Sequence, residues 1–178
     1  DRAPAELGVQ GGLAQSFWNL LVPSASHRHD ALAFYLASSE PPIQGRRELA
    51  SWFLLNDSDL PLRRDALSWL MQQEAPVESG QPLSDDTTVL LGWLLARDKS
   101  PRMRQEIALA LAPRRGDPVR GLLLRASLDS DRRVSDVANA ALRHFDPPTA
   151  SEFATLETEV RTPSLPPWTQ ALDGRVPL

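Results

Sequence analysis

Three stretches of this chain, at positions 57–70, 98–111 and 129–142, repeat one pattern without an internal gap. Asp57, Asp98 and Asp129 correspond. So do Leu62, Met103 and Val134; Ala66, Ile107 and Ala138; and Leu70, Leu111 and Leu142. A repeated unit constrains architecture more than any single residue does. Each copy is one supersecondary element that cannot bury its apolar face alone, so neighbouring copies must stack. The apolar positions within each copy fall at i, i+4 and i+8, which predicts one face of a helix directed at the core. The segments before two of the copies agree, because Trp52 and Trp93 stand at the same distance ahead of Asp57 and Asp98. Stacked helix pairs form surfaces rather than enclosed clefts.

Local signals divide the chain further. Residues 1–12 hold Pro4, Gly8, Gly11 and Gly12 and read as a loose leader. A helix is predicted over 13–22, stopped by Pro23, and a second over 26–38, ending before Pro41 and Pro42. The latter carries Arg28-His29-Asp30-Ala31-Leu32, which echoes Arg63-Arg64-Asp65-Ala66-Leu67 and makes a fourth, degenerate copy. A helix over 44–55 precedes one that starts after Asp59 with Pro61 in its first turn, where a missing N–H costs nothing. After a loop over 75–83, Ser84, Asp85 and Asp86 open a helix ending in Arg97, with charges that complement the helix dipole. Ser100-Pro101, Asp117-Pro118 and Asp131 are the expected caps of helices to about 111, 128 and 145. A short helix over 150–160 is expected to close the stack. Residues 162–178, with Pro163, Pro166, Pro167 and Pro177, read as an extended Pro-rich tail. The helical repeat domain is thus expected over 13–161.

Composition narrows the function classes. The longest apolar run, at 89–96, is too short to span a bilayer. A net charge of −4 gives no general attraction to nucleic acid or anionic membrane. Cysteine is absent, which removes disulfides, thiolate nucleophiles and zinc–thiolate sites and fits any compartment. Opening on Asp1 rather than methionine reads as a processed or trimmed protein.

The pattern Asp-x-Asp/Ser-x-x-apolar-Arg-x-x-Ala-x-x-Ala-Leu resembles HEAT repeats, especially the short HEAT-like units of phycobilisome lyases. The resemblance covers roughly residues 24–145. Two departures stand out. The family arginine is matched by Arg63 and Arg104 but replaced by Ser135, and the copies are unevenly spaced. The resemblance implies an all-α fold, a right-handed α-superhelix of about four helix pairs whose second helices line a concave face. It also implies scaffolding or binding rather than catalysis, without a cofactor or metal.

Chemistry-bearing motifs are few. His27, His29 and Asp30 could suggest a metal cluster, but an i, i+2 pair does not face one way on a helix, and a polar helix start explains them better. Asp85 and Asp86 sit where helix N-termini favour negative charge, which outweighs an acid–base reading. No G-x-S-x-G, phosphate-binding glycine loop or H-E-x-x-H occurs, and no catalytic residue is nominated. The repeated aspartates are expected to bond turn N–H groups, or to pair with arginines of adjacent units such as Arg63 and Arg104.

Two partner classes follow. The leading expectation is a protein or peptide held along the concave face by Arg64, Gln72, Gln105, Asp136, Asn139 and Arg143, with Trp168 in the tail as a further anchor. The alternative is nucleic acid gripped by the ten basic residues from Arg97 to Arg133, which face five acidic ones in that stretch. A structural arm of a larger enzyme or assembly is a third reading. Trp18, Trp52, Trp69 and Trp93 lie in apolar helical stretches and are expected in the core.

Overall fold

A computed structural model describes residues 24–38, 42–77 and 82–147. The leader, the helices expected over 13–22 and 150–160, the Pro-rich tail, Trp18 and Trp168 lie outside the described residues. Those residues form seven helices and no strand: α1 (Ala25–Ala37), α2 (Ile43–Asn56), α3 (Leu60–Gln73), α4 (Asp85–Arg97), α5 (Pro101–Leu111), α6 (Asp117–Ser127) and α7 (Arg132–Leu142). The chain divides into two compact units, Asp1–Trp69 and Leu70–Leu178, with the boundary inside α3.

In the first unit α1 packs on α2. Ala31, Leu32 and Leu36 of α1, Ala50, Phe53 and Leu54 of α2, and Leu62, Ala66 and Leu67 of α3 are buried. Arg46 closes the C-terminal end of α1, donating from Nη1 to Leu36 O at 3.2 Å and also to Ser38 O. Those carbonyls have no partner within the helix, so a guanidinium from the next helix satisfies them.

In the second unit α4 packs on α5 and α6, α5 on α6 and α7, and α6 on α7. Each first helix of a pair therefore lies beside the first helix of the next, and each second helix beside the next second helix. Met103, Ile107 and Leu111 of α5 and Val134 and Ala138 of α7 are fully buried, as the repeat spacing requires. Leu142 is only half-buried, because it ends α7 and Ala141 takes the inward place. α4 approaches α6 closely at Gly92, where an added Cβ would stand 3.2 Å from Leu122 Cδ2.

The caps mostly follow the sequence. Ser84 Oγ accepts from Thr87 N, Ser100 Oγ from Met103 N, and an Asp131 carboxylate oxygen from Arg133 N. The expected Asp117 cap is corrected. Gly116 is the N-cap of α6 at φ 99°, and Asp117 is the first helical residue. Only glycine adopts that left-handed conformation without steric cost, so the backbone rather than the carboxylate sets the start. α7 also ends earlier than expected, at Leu142, and tight turns through His144 and Phe145 follow. Trp52, Trp69 and Trp93 are half-buried rather than core residues, and the core beside them is built from Phe53, Leu54, Leu70, Leu94 and Leu95.

Candidate partner-binding surface

Among the described residues, the repeated turns gather charged side chains and turn N–H groups in one place. In each, the aspartate carboxylate accepts the N–H two residues ahead: Asp57 from Asp59 at 2.7 Å, Asp98 from Ser100 at 2.8 Å and Asp129 from Asp131 at 2.8 Å. A short acidic side chain closing its own turn in this way fixes where the next helix begins. Asp57 and Asp129 also take a fork from an arginine of the preceding copy. Arg28 donates from Nε and Nη2 to Asp57 at 3.0 and 3.2 Å. Arg104 does the same to Asp129 at 2.6 and 2.9 Å. Both roles expected from sequence therefore occur together, and the arginine that meets Asp57 is Arg28. Arg63, at the same repeat position, is buried and donates from Nε to Leu54 O at 2.7 Å.

These links have an electrostatic signature. Burial alone would raise the Asp129 carboxyl, but the Arg104 hydrogen bonds and the Asp131 N–H outweigh it and hold the group below the ordinary carboxylate range. Arg104 is raised in turn, chiefly by its hydrogen bond to Asp129. At the exposed end of the same turn, the Arg133 side chain and backbone hydrogen-bond to Asp131 and lower its carboxyl to about 2.

The basic stretch is largely occupied with the fold. Arg114 is buried and donates to Met71 O at 2.7 Å and Ala75 O at 3.1 Å. Arg115 donates to Ala112 O and Arg114 O and stands over the Phe145 ring. Arg120 reaches Asp146 O, and Arg125 reaches Gly92 O. Arg132 pairs with Asp136 and Arg133 with Asp131. Among the described residues, Arg97, Lys99 and Arg102 stay exposed and hold no such partner.

The residues nominated for a partner are spread over both units. Arg64 is exposed on α3 in the first unit. In the second, Gln72 is exposed in the last turn of α3, Gln105 is half-buried on α5, Asp136 and Asn139 are exposed on α7, and Arg143 is exposed just beyond it. α5 and α7 pack together, so the equivalent positions Gln105 and Asp136 lie on adjacent helices. His29 is not brought to a metal-like cluster; its Nδ1 lies 3.1 Å from an Asp65 oxygen. Among the described residues no group of three or more His, Cys, Asp or Glu side chains could hold a metal ion, and no helix is long and apolar enough to cross a membrane.

One polar cluster escaped the sequence reading. Buried Glu74 accepts from Ser84 N at 2.8 Å, Ser84 Oγ at 2.8 Å and Thr87 Oγ1 at 2.6 Å. It ties the end of α3 to the start of α4, and Arg114 binds Met71 O in the last turn of α3 and Ala75 O just beyond it. Its donors lie across a loop and outside the repeat, so no periodic signal marks them.

No family model, curated protein or solved structure matches this chain.

Proposed function

We propose that this chain is a non-enzymatic, HEAT-like scaffold module that binds a protein or peptide segment within a larger assembly. The observation that carries the reading is the Arg104–Asp129 fork between successive copies, set within a unit where α4 lies beside α6 and α5 beside α7. Copies locked to one another in this way extend as a stack, and a stack offers a long surface instead of a cleft. On this reading the helix pairs wind as a right-handed superhelix, with the second helix of each pair on the partner's side. Gln105, Asp136, Asn139 and Arg143 then belong to the binding face of the second unit. On α3, Arg64 is the position equivalent to Gln105 and Asp136, and Gln72 lies further along the same helix.

Nucleic acid is the weaker reading. Seven of the basic side chains between Arg97 and Arg133 already have intramolecular partners, so few charges remain to displace counterions from a phosphate backbone.

The test is a pull-down with the full-length chain, with nuclease treatment as a control, repeated with Arg64→Ala combined with Arg143→Ala. A protein partner that survives nuclease and is weakened by the double substitution, with helical content unchanged, supports the reading. Recovery of nucleic acid alone would replace it.

A further inference from the structure

α4 presents two unlike faces. Leu90, Leu91, Leu94 and Leu95 are buried. On the other side Val89, Trp93 and Arg97 follow one another at i, i+4 and i+8, so they form a single line along the helix. Val89 is 42% exposed, Trp93 is half-buried and Arg97 is exposed. At the repeat position equivalent to Arg97, at the end of neighbouring α6, stands Leu128, 53% exposed. An isolated exposed apolar side chain is ordinary. An aromatic ring and an arginine without a partner among the described residues are the residue types in which binding energy concentrates at interfaces, and Val89 adds apolar area in the same line.

The charges around this line point the same way. Arg97 is followed by Lys99 and Arg102, also exposed and without a partner among the described residues. Arg102 lies in the first turn of α5, which contains no acidic residue. A cation there opposes the helix dipole. The arginines that open α7 offset the same penalty with Asp131 and Asp136. At α5 Glu106 lies one turn beyond Arg102, but no ion pair to Arg102 is formed among the described residues, so its charge stays available to an external anion.

We infer that the outer face of α4 and the α4–α5 turn form a docking site for an acidic peptide segment of another protein. An apolar side chain of that segment would rest on Val89 and Trp93, and its carboxylates would face Arg97, Lys99 and Arg102. Charge complementarity selects this occupant. The line runs from apolar to cationic, so it suits a ligand with apolar and acidic groups side by side. This face uses none of the residues assigned to the scaffold's groove.

The experiment is selection of a random displayed peptide library on the full-length chain, followed by affinity measurement on three variants. The first is Arg97→Glu, Lys99→Glu and Arg102→Glu together, the second Val89→Ser, and the third Arg64→Ala with Arg143→Ala. Selected peptides are expected to be rich in Asp and Glu beside an apolar residue. They should lose ~10-fold or more in affinity on charge reversal, and several-fold with Val89→Ser. The groove variant should bind as the parent does. All substituted side chains are exposed, so unchanged circular dichroism confirms that folding is intact. Peptides without acidic residues, or affinity untouched by charge reversal, would overturn the assignment. Loss confined to the groove variant would also overturn it while leaving the scaffold reading in place. A single-stranded oligonucleotide that binds where no peptide does, or self-association abolished by charge reversal, would replace the acidic peptide with another occupant.

Discussion

Arg104 closes a two-point fork on Asp129, Nε to Oδ2 at 2.6 Å and Nη2 to Oδ1 at 2.9 Å, and so joins α5 to the turn between α6 and α7. The same guanidinium donates from Nη1 to Asp98 O at 2.6 Å, which makes one side chain the link between two successive turns. The side chains are only 13% and 5% exposed, so removal of either partner leaves a poorly solvated charge. Asp129→Ala is expected to cost about 2–4 kcal/mol, because it strands Arg104 and also removes the acceptor for Asp131 N–H. Arg104→Ala should cost less, since Asp129 keeps its turn bond. Urea unfolding of both single variants and the double variant gives the coupling energy, and a value near zero would show that the fork does not hold the copies together.

Acid should loosen the same junction. Asp129 and Asp131 both have carboxyls held below the ordinary value, Asp131 at about 2. A group lowered in the folded state binds its proton more weakly there than in the unfolded chain. Its stabilisation is therefore fully present above the unfolded value of roughly 4 and is lost as pH falls through the folded one. Stability should decline between about pH 4 and 2 from these groups. Asp129→Asn combined with Arg104→Gln should flatten that decline. An equally steep decline in the double variant would assign the acid sensitivity to other carboxylates.

Much of this fold was legible in the sequence, because the residues that build it recur. Leu62, Met103 and Val134 are fully buried in their copies, and a face at i, i+4 and i+8 needs no tertiary information to be seen. Asp57, Asp98 and Asp129 were legible for the same reason. The misses have separate physical causes. Trp52, Trp69 and Trp93 count as apolar in a pattern, yet a large ring is often accommodated at the edge of a core rather than inside it. Asp117-Pro118 carries the composition of a cap, and the positive φ of Gly116 took that role one residue earlier. The candidate site was the least legible part. The repeat position marks Arg104 as a pairing residue, but which of the other arginines stay exposed, Arg102 among them, follows from tertiary packing.

The glycine that caps α6 and the one inside it should respond oppositely to alanine. Gly116 holds φ 99°, a conformation in which a Cβ is strained, so Gly116→Ala is expected to cost about 1–2 kcal/mol. Gly121 is inside the helix, and a Cβ added there would meet nothing within 4 Å. Gly121→Ala should stabilise by about 0.5–1 kcal/mol, since alanine loses less backbone freedom in a helix. Thermal unfolding of the two variants beside the parent checks both signs. A destabilised Gly121→Ala would mean that the open space there is needed by another part of the chain.

The junction at Glu74 should act locally. Its carboxylate receives the Ser84 N–H, the Ser84 hydroxyl and the Thr87 hydroxyl, so the start of α4 is held by one buried acceptor from the end of α3. Glu74→Ala removes that acceptor, and a buried donor without a partner costs about 1–3 kcal/mol. Glu74→Gln keeps one carbonyl oxygen and adds an NH₂ group that must face the same donors, so it should recover only part of the loss. Hydrogen exchange separates this from a general weakening of the core. Amides in the first turns of α4 should lose protection strongly in Glu74→Ala, and those of α7, which packs on α5 and α6, should change little. Equal loss in α4 and α7 would mean that Glu74 supports the whole second unit, because the helix it anchors also carries the leucines on which α5 and α6 pack.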